Sequence, residues 1–175
     1  MEKTVIAMAG LPASGKSAVA LKLHKDVESV LLNKDSVRNF MFDRYVDYSN
    51  EQNDLCMEMM YQVAFYLLSR EESPLVILDG RSFSRRSQID RLKIFVGEAR
   101  CTLRIIECLC SASSARERLQ KDQDSHPAKD RDYSMYLRSR ASAELIVEPR
   151  LILDTDALSK EECGQRALAY IVQTP

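Results

Sequence analysis

Eight consecutive residues carry the sharpest chemical signal in the chain. Gly10-Leu11-Pro12-Ala13-Ser14-Gly15-Lys16-Ser17 reads G-x-x-x-x-G-K-[ST] in full. The two glycines let the backbone curl until successive N–H groups point inward at an anion. A helix beginning directly behind the loop adds its positive N-terminal dipole. Lys16 is then placed to reach β- and γ-phosphates, and Ser17 to set its hydroxyl on Mg²⁺. A chance match in a chain of average composition has odds on the order of one in a hundred. Only five glycines occur in the chain, and two of them are here. The expected nucleotide contacts are therefore Gly10, Leu11, Pro12, Ala13, Ser14, Gly15, Lys16, Ser17 and Ala18, with ATP-Mg²⁺ as the ligand.

Two further positions could do chemistry beside a polyphosphate. Asp35 and Arg38 are three apart at the start of an expected helix, so they share a face. The carboxylate suits a general base for an attacking hydroxyl, while the guanidinium grips a phosphate or orients the acid. Asp79 closes an apolar run, as expected of an acid that holds Mg²⁺ through water. Gly80 follows it, where motor-type ATPases commonly place a water-activating Glu; that argues for transfer to a bound hydroxyl over hydrolysis. Asn33-Lys34-Asp35 is not the guanine signature N-K-x-D, and no D-x-x-G follows Asp79. Arg81, Arg85 and Arg86, and a second set at Arg116, Arg118, Lys121, Lys129 and Arg131, offer positive charge for a moving phosphoryl group.

These residues need a scaffold that gathers them, and the hydrophobic pattern supplies one. Thr4–Ala9, Val30–Leu32, Leu75–Leu78, Cys101–Leu109 and Arg150–Leu153 read as strands, several apolar on both faces as in a covered parallel sheet. Helices are expected over Lys16–Lys25, from Asp35 or Ser36 as cap, over Asn50–Arg70, Ser84–Val96, Ser111–Gln120, Tyr133–Ala143 and Ser159–Val172. Val37, Phe40 and Met41 form an apparent apolar stripe on the second. Leu55, Met59, Tyr61, Val63, Ala64, Leu67 and Leu68 form another on the third. Lys121–Asp132 is the most polar stretch and reads as a loop between two helices. Alternating strands and helices imply a parallel sheet with helices on both faces. Ligands in such sheets sit beyond the carboxyl ends of the strands, where the phosphate loop, Asp35 and Asp79 would share one edge.

The 175 residues suit a single domain over 1–175. With 25 basic against 26 acidic residues, the chain lacks the basic excess that extended duplex nucleic-acid binding demands. Cys56, Cys101, Cys108, Cys110 and Cys163 are odd in number and contain no C-x-x-C, so reduced thiols are expected. No apolar stretch approaches membrane-spanning length, and the short N-terminal apolar run stops at Gly10, which together point to the cytoplasm.

The chain resembles the small P-loop kinases related to phage polynucleotide 5′-kinase, chloramphenicol phosphotransferase and zeta toxins. The resemblance rests on Gly10–Ser17, on Asn33-Lys34-Asp35-Ser36-Val37-Arg38, on Leu78-Asp79-Gly80 with Arg85-Arg86, on Arg116–Arg140, and on Leu151-Ile152-Leu153-Asp154-Thr155. It implies an α/β, three-layer P-loop NTPase fold of the nucleoside-kinase type, with about five parallel strands and the phosphate-loop strand central. It also implies a helical lid near 116–140, ATP as donor, and a hydroxyl of a small molecule or a nucleic-acid 5′ end as acceptor. Asp35 matches the family's general base, and Arg38 the residue contacting that base and the substrate's phosphate. Relatives often carry Arg-Leu-x-x-Arg on the lid helix. Here Arg118-Leu119-Gln120-Lys121 precedes Asp122, leaving Lys121, Lys129 or Arg131 to stand in for the second arginine, or lid catalysis weak. Arg118 and Arg131 are the lid candidates for catalysis. The competing reading is a nucleotide-dependent binding module or regulatory ATPase without a kinase substrate.

Overall fold

A computed structural model describes residues 2–70, 75–122 and 132–172. Five strands, β1 (Thr4–Ala9), β2 (Val30–Asn33), β3 (Leu75–Asp79), β4 (Thr102–Leu109) and β5 (Leu151–Asp154), form one sheet in the order β2-β3-β1-β4-β5. Every pairing is parallel. The phosphate-loop strand β1 is central and wholly buried.

Residue alternation along β1 divides the core in two. Val5, Ala7 and Ala9 face α3 (Asn50–Ser69) and α4 (Arg86–Ala99) through Met57, Met60, Tyr61, Leu92 and Phe95. Ile6 and Met8 face α1 (Lys16–Asp26) and α7 (Lys160–Val172) through Val19, Leu23, Cys163 and Ala167. Helices thus cover both faces, the three-layer arrangement expected. A smaller cluster joins Ala13 of the phosphate loop to Ala115 and Leu119 of α5 (Ala112–Asp122) and Tyr136 of α6 (Tyr133–Ala141). Among the described residues, no helix is long and apolar enough to cross a membrane.

Four local expectations need correction. The cap of α2 (Lys34–Phe42) is neither Asp35 nor Ser36 but Asn33, whose Oδ1 accepts from both of their backbone N–H groups at 3.0 Å. That releases the Asp35 carboxylate from capping. On α2, Phe40 is 86% and Met41 53% exposed, while the buried residue is Arg38; a charge bonded to partners across the site takes the inward face, and only Val37 of the stripe packs on the core. On α3 the inward stripe is Gln52, Cys56, Met57, Met60, Tyr61, Ala64 and Leu68, which holds the helical period, whereas Leu55 and Val63 are exposed. Apolar residues surround this helix, so composition selected the wrong face in part. Finally, α4 runs through Gly97 to Ala99 and is closed by Arg100 in the left-handed conformation at φ 50°.

Candidate active site

The turn after β1 is built from conformations that few residues tolerate. Gly10 has φ 128°, and a Cβ there would lie 2.2 Å from the carbonyl oxygen of Cys108. Its N–H donates to the Ser82 carbonyl at 2.9 Å, tying the loop to the segment beyond β3. Ala13 is also left-handed, at φ 61°. Gly15, at φ 89°, precedes α1 with no side-chain cap, so the positive end of the α1 dipole opens onto the turn. Lys16 is buried, its Nζ donating to the Leu11 carbonyl at 2.7 Å, with Ser14 Oγ at 3.5 Å. Ser17 is exposed at the first turn of α1. Gly10 to Gly15 thus form a tight turn, and Lys16, Ser17 and Ala18 open α1 directly behind it.

At the next strand end, Asp79 pairs in register with Asn33. Asn33 Nδ2 donates to Asp79 Oδ2 at 2.8 Å, so one asparagine both caps α2 and anchors the acid. Asp79 is 2% exposed, yet its Oδ1 is buried with no hydrogen-bond partner. An orphaned oxygen of this kind calls for a cation or its water. Ser17 and Asp79 thus fit a Mg²⁺ held by one hydroxyl and, through water, one carboxylate. Close by, burial pushes the Cys108 thiol up to about 12, against the opposing field of Lys16, so this cysteine stays a neutral packing group.

A second set converges on Asp35. Arg38 Nη1 donates to Asp35 Oδ1 at 3.0 Å, and Lys34 Nζ lies 3.5 Å from the same oxygen. Arg38 is 2% exposed, with its guanidinium 5.1 Å from the Tyr48 ring centroid. Asn53 on α3 joins both cations: its Oδ1 accepts from Lys34 Nζ at 2.8 Å and from Arg38 Nη2. Its Nδ2 is spent on the Tyr48 and Ser49 carbonyls, at 3.1 and 2.8 Å. Arg38 therefore fixes the carboxylate, the orienting role among those expected of it. Burial lowers the Lys34 ammonium from the usual lysine range, opposed by Asp35. Gly80 permits this convergence, because a Cβ at that position would stand 2.9 Å from both Lys34 N and Lys34 Cβ. Sequence reasoning missed Asn53. Its signal was a polar residue one turn into an amphipathic helix, which has many ordinary explanations.

Two cavities meet at Lys16 and Ser17. One, of about 380 Å³, includes Arg118, Thr155, Leu158 and Lys160. The other, of about 440 Å³, includes Asp35, Arg38, Tyr48 and Asn53. Arg118 lies wholly on the first side. Its Nη1 donates to the Ala13 carbonyl at 3.2 Å and Thr155 Oγ1 at 2.8 Å, and its Nη2 to the Thr155 carbonyl at 3.0 Å, with Asp156 Oδ1 at 3.2 Å. Lys121 lines the same cavity. Arg131 and Lys129 lie outside the described residues. Of the arginines after β3, Arg81 pairs with Asp54 at 2.5 Å, Arg85 borders the second cavity, and Arg86 turns away to Asp90 and Glu148, each at 3.1 Å. Arg116 stacks over Tyr133 at 5.3 Å.

The sequence matches the AAA_33 family, described as an AAA domain, over residues 5–145. The chain belongs to this family. None of the curated proteins matches it. The fold of this AAA_33 domain is that of P-loop kinases. It superposes on a candidate kinase from Chloroflexus aurantiacus with a TM-score of 0.77 at 22% identity, covering 97% of this chain and 99% of that one. A gluconokinase from Sinorhizobium meliloti gives a TM-score of 0.69 at 17% identity, covering 97% and 91%. Kti12 of Chaetomium thermophilum, in complex with ADP-AlF₃, gives 0.68 at 17% identity, covering 97% and 100%.

Proposed function

We propose that this AAA_33 domain is an ATP-dependent phosphotransferase that moves the γ-phosphate of ATP-Mg²⁺ to a hydroxyl group. The observation that carries the proposal is the pair of cavities opening onto Lys16 and Ser17, one of them bordered by Asp35, a carboxylate held in place by Arg38 and Lys34. The nucleoside end of ATP takes the cavity of Arg118 and Thr155. Its phosphates take the loop amides and Lys16. The acceptor takes the cavity of Asp35.

Asp35 accepts the hydroxyl proton as the oxygen forms its bond to the γ-phosphorus. The bond from that phosphorus to the β,γ-bridging oxygen breaks, and ADP leaves. Arg38 and Lys34, both against Asp35 Oδ1, keep the carboxylate aimed. Ser17 and Asp79 would hold Mg²⁺, which would supply charge neutralisation along the phosphates. The helix pair α5–α6 is the lid of a single domain, and Arg131 remains its candidate for the transferring phosphate. A protein of this kind works in the cytoplasm, and polynucleotide-kinase-like ancestry is the finer family reading.

One observation favours a second reading, that of a nucleotide-dependent binding module or regulatory ATPase. Arg118, the catalytic candidate of α5, is committed to Ala13, Thr155 and Asp156 on the nucleoside side. The two readings separate on acceptor dependence. A phosphotransferase consumes ATP many-fold faster once its hydroxyl acceptor is present, with the label recovered on that acceptor. ATP consumption unchanged by a broad set of small-molecule and 5′-hydroxyl oligonucleotide acceptors would instead support the second.

A further inference from the structure

Among the described residues, six cationic side chains border the acceptor cavity, Lys16, Lys34, Arg38, Arg81, Arg85 and Arg138, against one carboxylate, Asp35. Four have evident duties. Lys16 belongs to the phosphate loop, Lys34 and Arg38 hold Asp35, and Arg81 pairs with Asp54. Two remain. Arg85, just before α4, is exposed and makes no ion pair among the described residues. Arg138, on α6, donates only to the Ser134 hydroxyl at 2.9 Å and likewise forms no ion pair among the described residues. Two guanidinium groups from separate elements thus border one cavity with no carboxylate in ion-pair contact among the described residues; Asp132, the acid in the field of Arg138, reaches it through the shared Ser134 hydroxyl. Guanidinium forks match carboxylate and phosphate oxygens in geometry as well as charge.

We infer that the acceptor is a small hydroxylated anion whose carboxylate or phosphate is held between Arg85 and Arg138, away from the hydroxyl presented to Asp35. The hydroxyls of Ser84, Ser139 and Ser142 border the same cavity and suit the remaining polar groups of such a molecule. A nucleic-acid end fits less well. Single-strand recognition leans on aromatic faces for stacking, and among the described residues the one aromatic bordering this cavity, Tyr48, has the Arg38 guanidinium over its ring. The inference rests on the proposed placement of the acceptor beside Asp35.

The test uses matched pairs on the full chain saturated with AMP-PNP-Mg²⁺. Gluconate against sorbitol, and glycerol 3-phosphate against glycerol, are titrated by calorimetry, so that one arm reads a carboxylate and the other a phosphate. The charged member of at least one pair binds tenfold or more tightly than its neutral partner. The double variant R85A/R138A abolishes the preference, R85K/R138K restores part of it, and R86A, whose side chain points elsewhere, leaves it intact. No charge preference in either pair, including no binding by any of the four, overturns the inference, as does a preference that survives R85A/R138A. Transfer is then read with labelled ATP on the same four compounds and on a 5′-hydroxyl oligonucleotide. Phosphate recovered only on the oligonucleotide or the neutral members also overturns it. An anion that binds through Arg85 and Arg138 yet never receives phosphate leaves the anion site standing and refutes the phosphotransferase reading.

Discussion

Adding one methyl group at two glycines should move stability in opposite directions. Gly80 sits at φ 91°, and its added Cβ would stand 2.9 Å from Lys34 N and Cβ and 3.4 Å from Asp35 N. The left-handed backbone alone costs an L-residue about 1–2 kcal/mol. Relieving contact with a backbone atom adds about 1–2 kcal/mol more, in line with other overpacking changes. Gly80→Ala should therefore destabilise by about 2–4 kcal/mol. The atoms met belong to the first turn of α2, which carries Asp35, so phosphate transfer should fall further than nucleotide affinity. Gly97 lies inside α4 with nothing within 4 Å of its added Cβ, and Gly97→Ala should stabilise by about 0.5 kcal/mol from helix propensity. Urea denaturation of the wild type and both variants reads the two signs. If the variants agree within about 0.5 kcal/mol, the close approach of Gly80 to α2 is not a real constraint on the site.

Three other outcomes follow from the geometry. Asn33→Ala removes the α2 cap and the hydrogen bond to Asp79; a loss of about 1–2 kcal/mol in denaturation, with a higher Mg²⁺ requirement for nucleotide binding, is expected, and an unchanged Mg²⁺ dependence contradicts the link. Arg118→Ala should weaken ATP binding roughly tenfold, the size of one charge-assisted hydrogen bond lost, while the KM for the acceptor holds; an effect confined to the acceptor would put this arginine on the wrong side of the loop. Burial pushes the Tyr61 phenol from 10.0 up to about 12. A folded value above the unfolded one gives stability that is complete below pH 10 and is lost as pH rises through 12. Two units correspond to about 3 kcal/mol. Tyr61→Phe should lack that part of the alkaline slope, and parallel wild-type and variant curves between pH 10 and 12 would refute the assignment.

The fold was legible because its signals are local and redundant. Strands buried on both faces, such as Thr4–Ala9, have no other common explanation, and the loop glycines lie where β1 must turn into α1. The position of Asp79 was legible for the same reason, since a strand-end residue in a parallel sheet has one edge to occupy; Asp35 lies on the first turn of α2, just beyond the end of β2. What stayed hidden depended on contacts far apart in sequence. Arg38 is buried among partners that include Asn53, fifteen residues away, and the Tyr48 ring. Phe40 and Met41 are consequently turned to solvent, against their hydropathy. The double role of Asn33 was hidden as well, because its partner Asp79 lies 46 residues further on. Arg118 carried the right residue type for a phosphate contact, but Thr155 and Asp156 hold it on the other side of the loop.

Removing the proton acceptor while keeping its shape tests the account most directly. Asp35→Asn keeps a polar side chain beside Lys34 and Arg38, so AMP-PNP-Mg²⁺ should bind within about threefold of wild type. Single-turnover transfer from labelled ATP to the acceptor should fall by about 10²–10⁴, the range for loss of a general base. Transfer at the wild-type rate by a variant that binds nucleotide normally would contradict the assignment of Asp35 as the base.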